Sequence, residues 1–282
     1  MKALQKDAYA KINLFLDIDS KRHDGYHNII SVMQSVSLCD TVTVEYCECE
    51  QKIIEISCNN PEIPLGEKNI AYKAADFFLD SGHVKIHIEK RIPAAAGLAG
   101  GSTDAAAVIT LLNELTGNKK SSGELLSIGA KIGADVPFCI LGGTKLAMGI
   151  GEKLIDFKPM PSCHMIVACM GDGVSTPQAY SALDTIFEDF TSYKSKKELL
   201  SLLEDEKTYY NGMFNIFESA VIPLRPAVQR IKDTLTGHGA EFSMMSGSGP
   251  SVFGIFTSKE KATLAFDTLV RMGANAHLCR PV

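Results

Sequence analysis

Pro93-Ala94-Ala95-Ala96-Gly97-Leu98-Ala99-Gly100-Gly101-Ser102-Thr103-Asp104-Ala105-Ala106-Ala107 is the stretch whose reading decides the fold. Before it, Val84, Ile86 and Ile88 alternate with Lys85, His87 and Glu89, the period-two pattern of a half-buried strand. After it, Ala105 to Leu115 is rich in strong helix formers, and Ser102, Thr103 and Asp104 are residue types that serve near a helix start. A glycine-rich turn feeding a helix gathers unpaired backbone N–H groups at the positive end of a helix dipole, worth roughly half an elementary charge. That combination binds anions. Gly97, Gly100 and Gly101 let the backbone approach a phosphate, while Ala94, Ala95, Ala96 and Ala99 keep the wall low. No Gly-Lys-Ser or Gly-Lys-Thr closes the loop, so it is not a Walker P-loop, and it does not match Gly-x-Gly-x-x-Gly. The same composition also suits a strand-to-helix connection whose small residues merely permit tight packing, so other stretches must decide.

The chain of 282 residues is long enough for two domains of ordinary size, and a Pro-flanked break at Lys158-Pro159-Met160-Pro161 places their boundary, giving residues 1–158 and 159–282. Hydrophobic content of 45% and charged content of 22% are those of a soluble globular protein. A net charge of -5 without a long basic run argues against a nucleic-acid partner. The opening Met-Lys-Ala-Leu-Gln-Lys-Asp leads straight into a strand pattern, and no apolar run reaches membrane-spanning length, so the expectation is a cytoplasmic protein without a membrane partner. The 8 cysteines are scattered and read as reduced thiols. His83 and His87 have helix-ligand spacing but lie in a strand pattern, so no structural metal is expected.

From Ala8 to Ile18 the chain alternates, with Ile12, Leu14, Leu16 and Ile18 on one face and Lys11, Asn13 and Asp17 on the other. Lys11 and Asn13 therefore point the same way, either as the wet face of an edge strand or as a cation and an amide aimed into a cleft. Gly25 is placed for a turn of positive φ, and Tyr26-His27 just after it suits either a flat heterocycle or ordinary rim packing. Strands are predicted at Thr41–Tyr46 and Ile53–Ser57, then a helix from Ile70 to Leu79 capped by Asn69 and ended by Gly82. Ser121 or Ser122 caps a helix through Ile132, with Gly133 as its C′ residue. In Gly133-Ala134-Asp135-Val136-Pro137-Phe138, Asp135 is a lone acid among small and apolar residues that needs donors nearby, or else it caps a short helix.

In the second half, Gly142–Met148 and His164–Met170 read as strands. Ser175-Thr176-Pro177 opens a helix that carries Tyr180, and Thr185–Tyr210 is polar and helical. A further helix runs from Arg225 to Thr236, and Ser258 caps one from Lys259 to Arg271. Strands Glu241–Ser246 and Val252–Phe256 flank a second glycine-rich turn, Ser246-Gly247-Ser248-Gly249-Pro250-Ser251, too long for a minimal hairpin. Two cradle-like loops, one per domain, suggest a ligand held between domains.

Ala10-Lys11-Ile12-Asn13-Leu14, Pro93–Ala107 and Ser246-Gly247-Ser248-Gly249 together resemble the three motifs of the GHMP small-molecule kinases, and the resemblance spans nearly the whole chain. With Asp24-Gly25-Tyr26-His27 and Gly133–Phe138, the set is similar to the subfamily acting on 4-diphosphocytidyl-2-C-methyl-D-erythritol in non-mevalonate isoprenoid synthesis. The resemblance implies an α+β chain of two domains with ATP, Mg²⁺ and a cytidine-diphosphate-linked small molecule in the cleft between them. It implies Asp135 as general base, and Lys11 as the cation that keeps Asp135 ionised and steadies the phosphoryl group. It implies ATP contacts along Pro93, Ala94, Ala95, Ala96, Gly97, Leu98, Ala99, Gly100, Gly101, Ser102 and Thr103. Substrate contacts are implied at Asn13, Tyr26, His27, Tyr180, Gly247, Ser248 and Gly249. Ala95 and Ala99 stand where many members carry Gly, and Pro250 where a small residue is usual. Homoserine- and mevalonate-type kinases of the superfamily, or a binding protein that kept the fold without catalysis, are the alternatives. Monomer and homodimer are both open.

Overall fold

The alternation at Ala8–Ile18 is the middle of a 20-residue strand, β1 (Lys2–Lys21), in the computed structural model, which describes residues 2–187, 190 and 196–282. The next strand, β2 (His27–Cys47), is one residue longer and absorbs the short strand predicted at Thr41–Tyr46. Each of these strands gives residues to two compact units. The first unit comprises Met1–Ala10, Leu38–Ala94 and Ala99–Gly142, and the second Lys11–Ser37, Ala95–Leu98 and Gly143–Val282. The units thus interleave along the chain, where the sequence reading has a single cut after residue 158.

In the first unit, β2 pairs antiparallel with β4 (Gly82–Glu89), Thr41 opposite Glu89 through Cys47 opposite His83, and β4 pairs in parallel with β3 (Lys52–Cys58). Val84, Ile86 and Ile88 are buried and the residues between them face outward, as the period predicts. Helix α1 (Ile70–Phe78) is capped by the Asn69 side chain, which accepts from the Ala71 N–H at 2.8 Å. It ends at Leu79, and Gly82 opens β4 instead of closing the helix. Helix α2 (Gly100–Leu115) buries almost every residue from Thr103 to Asn113. A helix apolar all round belongs inside a fold. Its alanines, Ala105 to Ala107, pack with Ala71, Ala74, Ala75 and Phe78 of α1 and with the apolar face of β4. Helix α3 (Ser122–Ile132) starts on a reciprocal Ser121–Glu124 cap. Gly133 after it is extended, φ -174°, not left-handed as the C′ reading expects. A short helix, α4 (Val136–Leu141), follows Asp135.

In the second unit, Ile29–Gln34 of β2 pairs antiparallel with β5 (Thr144–Gly149), and β5 with β6 (Lys153–Asp156). Phe15 and Leu16 of β1 pair in parallel with β8 (Phe214–Asn215). A separate antiparallel sheet has the order β11-β7-β10-β9, from β7 (His164–Cys169), β9 (Phe242–Met245), β10 (Val252–Phe256) and β11 (Asn275–Cys279). Helices α5 (Thr176–Ile186), α8 (Pro226–Gly237) and α9 (Lys259–Arg271) match the predictions, with side-chain caps from Ser175 on α5 and Ser258 on α9. The polar stretch Thr185–Tyr210 holds the end of α5, helix α6 (Lys196–Leu202) and a 3-10 turn at Tyr209–Gly212, while residues 188, 189 and 191–195 lie outside the described residues. Helix α7 (Glu218–Leu224) was not predicted. Among the described residues no helix is long and apolar enough to cross a membrane.

Candidate active site

The glycine-rich loop delivers helix α2 without a cap. Ala99 occupies the cap position at φ 58° and offers no side-chain cap to the first turn. Thr103 lies inside the helix and gives its hydroxyl to the Tyr9 carbonyl at 2.7 Å, so it holds α2 to β1 instead of capping. The leading N–H groups of α2 therefore have the dipole of the helix behind them and no capping side chain from the residue before them, which is the physical requirement for an anion site. Ala95 is also left-handed, at φ 51°. Two such alanines within five residues store about 1–3 kcal/mol each, strain that collects where a loop shape serves function.

Within the second unit, the short piece Ala95–Leu98 is gripped from two sides. The Lys11 N–H donates to the Leu98 carbonyl at 3.1 Å, the Ser251 N–H to Ala96 at 3.2 Å, and the Ser246 hydroxyl to Gly97 at 3.1 Å. Gly97 has φ +78°, and a Cβ there would lie 2.3 Å from the Ser246 carbonyl oxygen. A Cβ on Gly247 would lie 3.0 Å from the Gly97 carbonyl oxygen and 3.5 Å from Asn13 Oδ1. Lys11–Asn13, Ala95–Leu98 and Ser246–Gly249, far apart in sequence, are thus in contact. Lys11 donates to Asn13 Oδ1 at 2.7 Å, and both residues are buried, 5% and 1% exposed. Lys11 is therefore no wet-face lysine, and a buried ammonium has to be matched by acceptors. Ser248 Oγ lies 3.3 Å from Thr176 Oγ1 at the start of α5.

In the first unit, half-buried Asp135 takes the cap position of α4 with helical φ and ψ, and its side chain makes no capping bond. The capping alternative for Asp135 is not realised. Helix α4 packs on α2 and α3, and a Cβ on Gly133 would lie 3.9 Å from Ser102 Oγ. The Asp135 turn and the uncapped start of α2 are therefore neighbours.

Tyr26 stands 62% exposed after the Gly25 turn, whose φ of 86° is as predicted. His27 is buried and stacks on Tyr180 with centroids 4.8 Å apart. Two rings holding a base between them would stand roughly 7 Å apart, so these two support each other. His27 Nε2 meets Asp184 Oδ1 at 2.8 Å, and Lys21 donates to Asp184 Oδ2 at 2.6 Å. Burial pushes the Asp184 carboxyl up, but Lys21 and His27 outweigh it and the net shift is downward.

Residues 69–143 match the GHMP kinases N terminal domain profile, and residues 193–275 match the GHMP kinases C terminal profile. A 4-diphosphocytidyl-2-C-methyl-D-erythritol kinase of Clostridium botulinum (strain Alaska E43 / Type E3) is 41% identical to the chain, covering 98% of it and 99% of the relative. The chain belongs to the GHMP kinases. A second relative with the same name, from Caldicellulosiruptor saccharolyticus, is 44% identical over 93% of this GHMP kinase and 91% of its own length. A crystal structure of a 4-(cytidine 5'-diphospho)-2C-methyl-D-erythritol kinase superposes with a TM-score of 0.79 at 32% identity, covering 99% of both chains. The homoserine kinase from Cytophaga hutchinsonii, at 19% identity and a TM-score of 0.76, shares the fold.

Two features of this GHMP kinase escaped the sequence reading. Beneath the glycine-rich loop, Lys90 at the end of β4 donates to both Asp40 Oδ2 and Asp104 Oδ2, the latter at 2.8 Å. Asp40 Oδ1 also accepts the N–H groups of Arg91 at 2.6 Å and Ile92 at 2.8 Å. Asp104 Oδ1 is buried with no hydrogen-bond partner. Burial disfavours the Lys90 charge, yet attraction to Asp104 and Asp40 outweighs it and raises its pKa. Burial pushes Asp104 up to about 7, the Lys90 charge opposing the shift and Asp40 adding to it. One ammonium serves two carboxylates, and Asp104 has fewer donors than Asp40. The second missed residue is Asn215, which donates to the Met245 and Gly247 carbonyls at 2.7 and 2.9 Å and so holds the second glycine-rich turn. The only sequence signals were an Asp beside a helix start and a lone Asn among apolar residues, neither of which points to a partner far along the chain.

Proposed function

We propose that this chain is an ATP-dependent kinase that phosphorylates the 2-hydroxyl of 4-diphosphocytidyl-2-C-methyl-D-erythritol, a cytosolic step of non-mevalonate isoprenoid precursor synthesis. The observation that carries the reading is end-to-end likeness, at 41% and 44% identity, to relatives of that name. Phosphoryl transfer asks for positioning and charge neutralisation more than for covalent chemistry. In this reading the backbone amides between Gly97 and Thr103 take the nucleotide phosphates, with Pro93–Ala96 as the approach to them. Asp135 accepts the proton of the 2-hydroxyl as its oxygen attacks the γ-phosphorus and ADP leaves. Lys11 supplies positive charge to the transferring phosphoryl, and Asn13 with Gly247, Ser248 and Gly249 holds the substrate. Tyr26 and His27 recognise the cytosine, and Tyr180 braces His27.

Among the described residues no three His, Cys, Asp or Glu side chains gather as a metal cage. Mg²⁺ would therefore be held mainly by the triphosphate and water, with the Ser102 hydroxyl as the first side-chain oxygen of α2, and would supply charge neutralisation on the nucleotide. The test is ATP turnover with the cytidine-linked substrate beside homoserine and mevalonate. The cytidine compound alone is expected to turn over, and turnover of either rival without it overturns the assignment. Asp135→Asn is expected to lower kcat by about 10²–10⁴ with the KM for ATP nearly unchanged. Full rate in that variant would remove Asp135 from the role of base.

A further inference from the structure

Behind Lys11 runs a buried chain of hydrogen bonds whose direction is forced. The Lys11 ammonium can only donate, so the Asn13 atom that faces it at 2.7 Å is the amide oxygen. The amide nitrogen of Asn13 then faces Ser31 Oγ at 2.8 Å. Ser31 has one hydroxyl hydrogen, and it is spent on the Phe15 carbonyl at 2.6 Å, an oxygen that can only accept. Toward Asn13, Ser31 is therefore an acceptor, and it admits only the amide nitrogen on that side. Ser31 is fully buried. Both ends of the chain demand the same amide orientation, and three side chains with one carbonyl lock it.

We propose that Ser31 is a positioning residue for phosphoryl transfer: by fixing which way the Asn13 amide points, it fixes where the Lys11 ammonium is held. The proposal rests on the role given to Lys11 above. Without the Ser31 hydroxyl, the Asn13 amide nitrogen is left buried without this acceptor, the amide is free to turn, and the oxygen that steadies Lys11 is no longer assured. The ammonium then loses the fixed acceptor on the Asn13 side, which costs rate more than binding.

The experiment compares Ser31→Ala and the fuller-sized Ser31→Cys with wild type, each also in an Asn13→Ala background. The expected result is a fall of about tenfold to one-hundredfold in kcat, with KM for ATP, which Asn13 does not touch in this reading, within about threefold. The Ser31 change is expected to have no further effect once Asn13 is alanine, because the cycle removes the same link twice. Unchanged kcat, or effects that multiply in the double variant, would overturn the relay. Protein carrying lysine labelled with carbon-13 at the ε position reads the ammonium without turnover. Its Lys11 signal, assigned through Lys11→Arg, is expected to move alike in Ser31→Ala and Asn13→Ala, and a signal that stays put also overturns the relay. Wild-type turnover by Lys11→Met would instead overturn the role of Lys11 in the reaction, which separates the two failures.

Discussion

Asp104→Asn isolates one buried proton. Asp104 lies under the glycine-rich loop with one oxygen on Lys90 and the other without a partner, and burial raises its pKa to about 7 from the ordinary 3.8. A carboxyl whose folded value is raised binds its proton more tightly in the folded state, so its contribution is complete below pH 4 and is lost as pH rises to about 7. Three units at about 1.4 kcal/mol each is roughly 4 kcal/mol in all, of which about 2–3 kcal/mol falls between pH 5 and pH 8. Asparagine cannot titrate and keeps an acceptor for Lys90 in nearly the same volume. The variant should therefore gain on wild type as pH rises, and urea midpoints at pH 5, 6, 7 and 8 measure the gain. With a slope of about 1–3 kcal/mol per molar urea, the variant's midpoint minus the wild type's should rise by about 1–3 M across the range. A gap that stays constant from pH 5 to pH 8 would refute the assignment of the proton to Asp104.

Lys90→Met leaves Asp40 and Asp104 buried without their cation, and should cost about 3–5 kcal/mol, a fall in Tm of about 6–20 °C. The loss should be smaller at pH 5 than at pH 8 in parallel melts. Gly97→Ala would force a Cβ to within 2.3 Å of the Ser246 carbonyl from a left-handed residue, and should weaken nucleotide binding and lower Tm by several degrees, read by calorimetry. Ala99→Gly should change stability by less than about 1 kcal/mol, because relief of the left-handed strain offsets the extra freedom of glycine when unfolded. The same change at right-handed, buried Ala107 in α2 should cost about 1 kcal/mol or more in denaturation midpoints.

Much of this protein is legible residue by residue because the governing physics is local. The alternation in β1 and β4 and the side-chain caps at Asn69, Ser121, Ser175 and Ser258 all involve neighbours within a few positions, and these four caps are made, whereas the glycine ends read at Gly82 and Gly133 are not. The glycine-rich loop before α2 was legible for the same reason. What the tertiary structure decided are meetings of groups far apart along the chain. Gly97 touches Ser246 and Gly247, Lys90 joins Asp40 to Asp104, Asp184 reaches His27, and Ser31 orients Asn13. Lys11 looked the same on paper whether wet or buried, and only the strands and loops folded over it turn it from a surface charge into a buried one. Local pattern sets which face a side chain takes, whereas burial and pairing depend on what distant chain covers that face, and no single stretch of sequence contains that information.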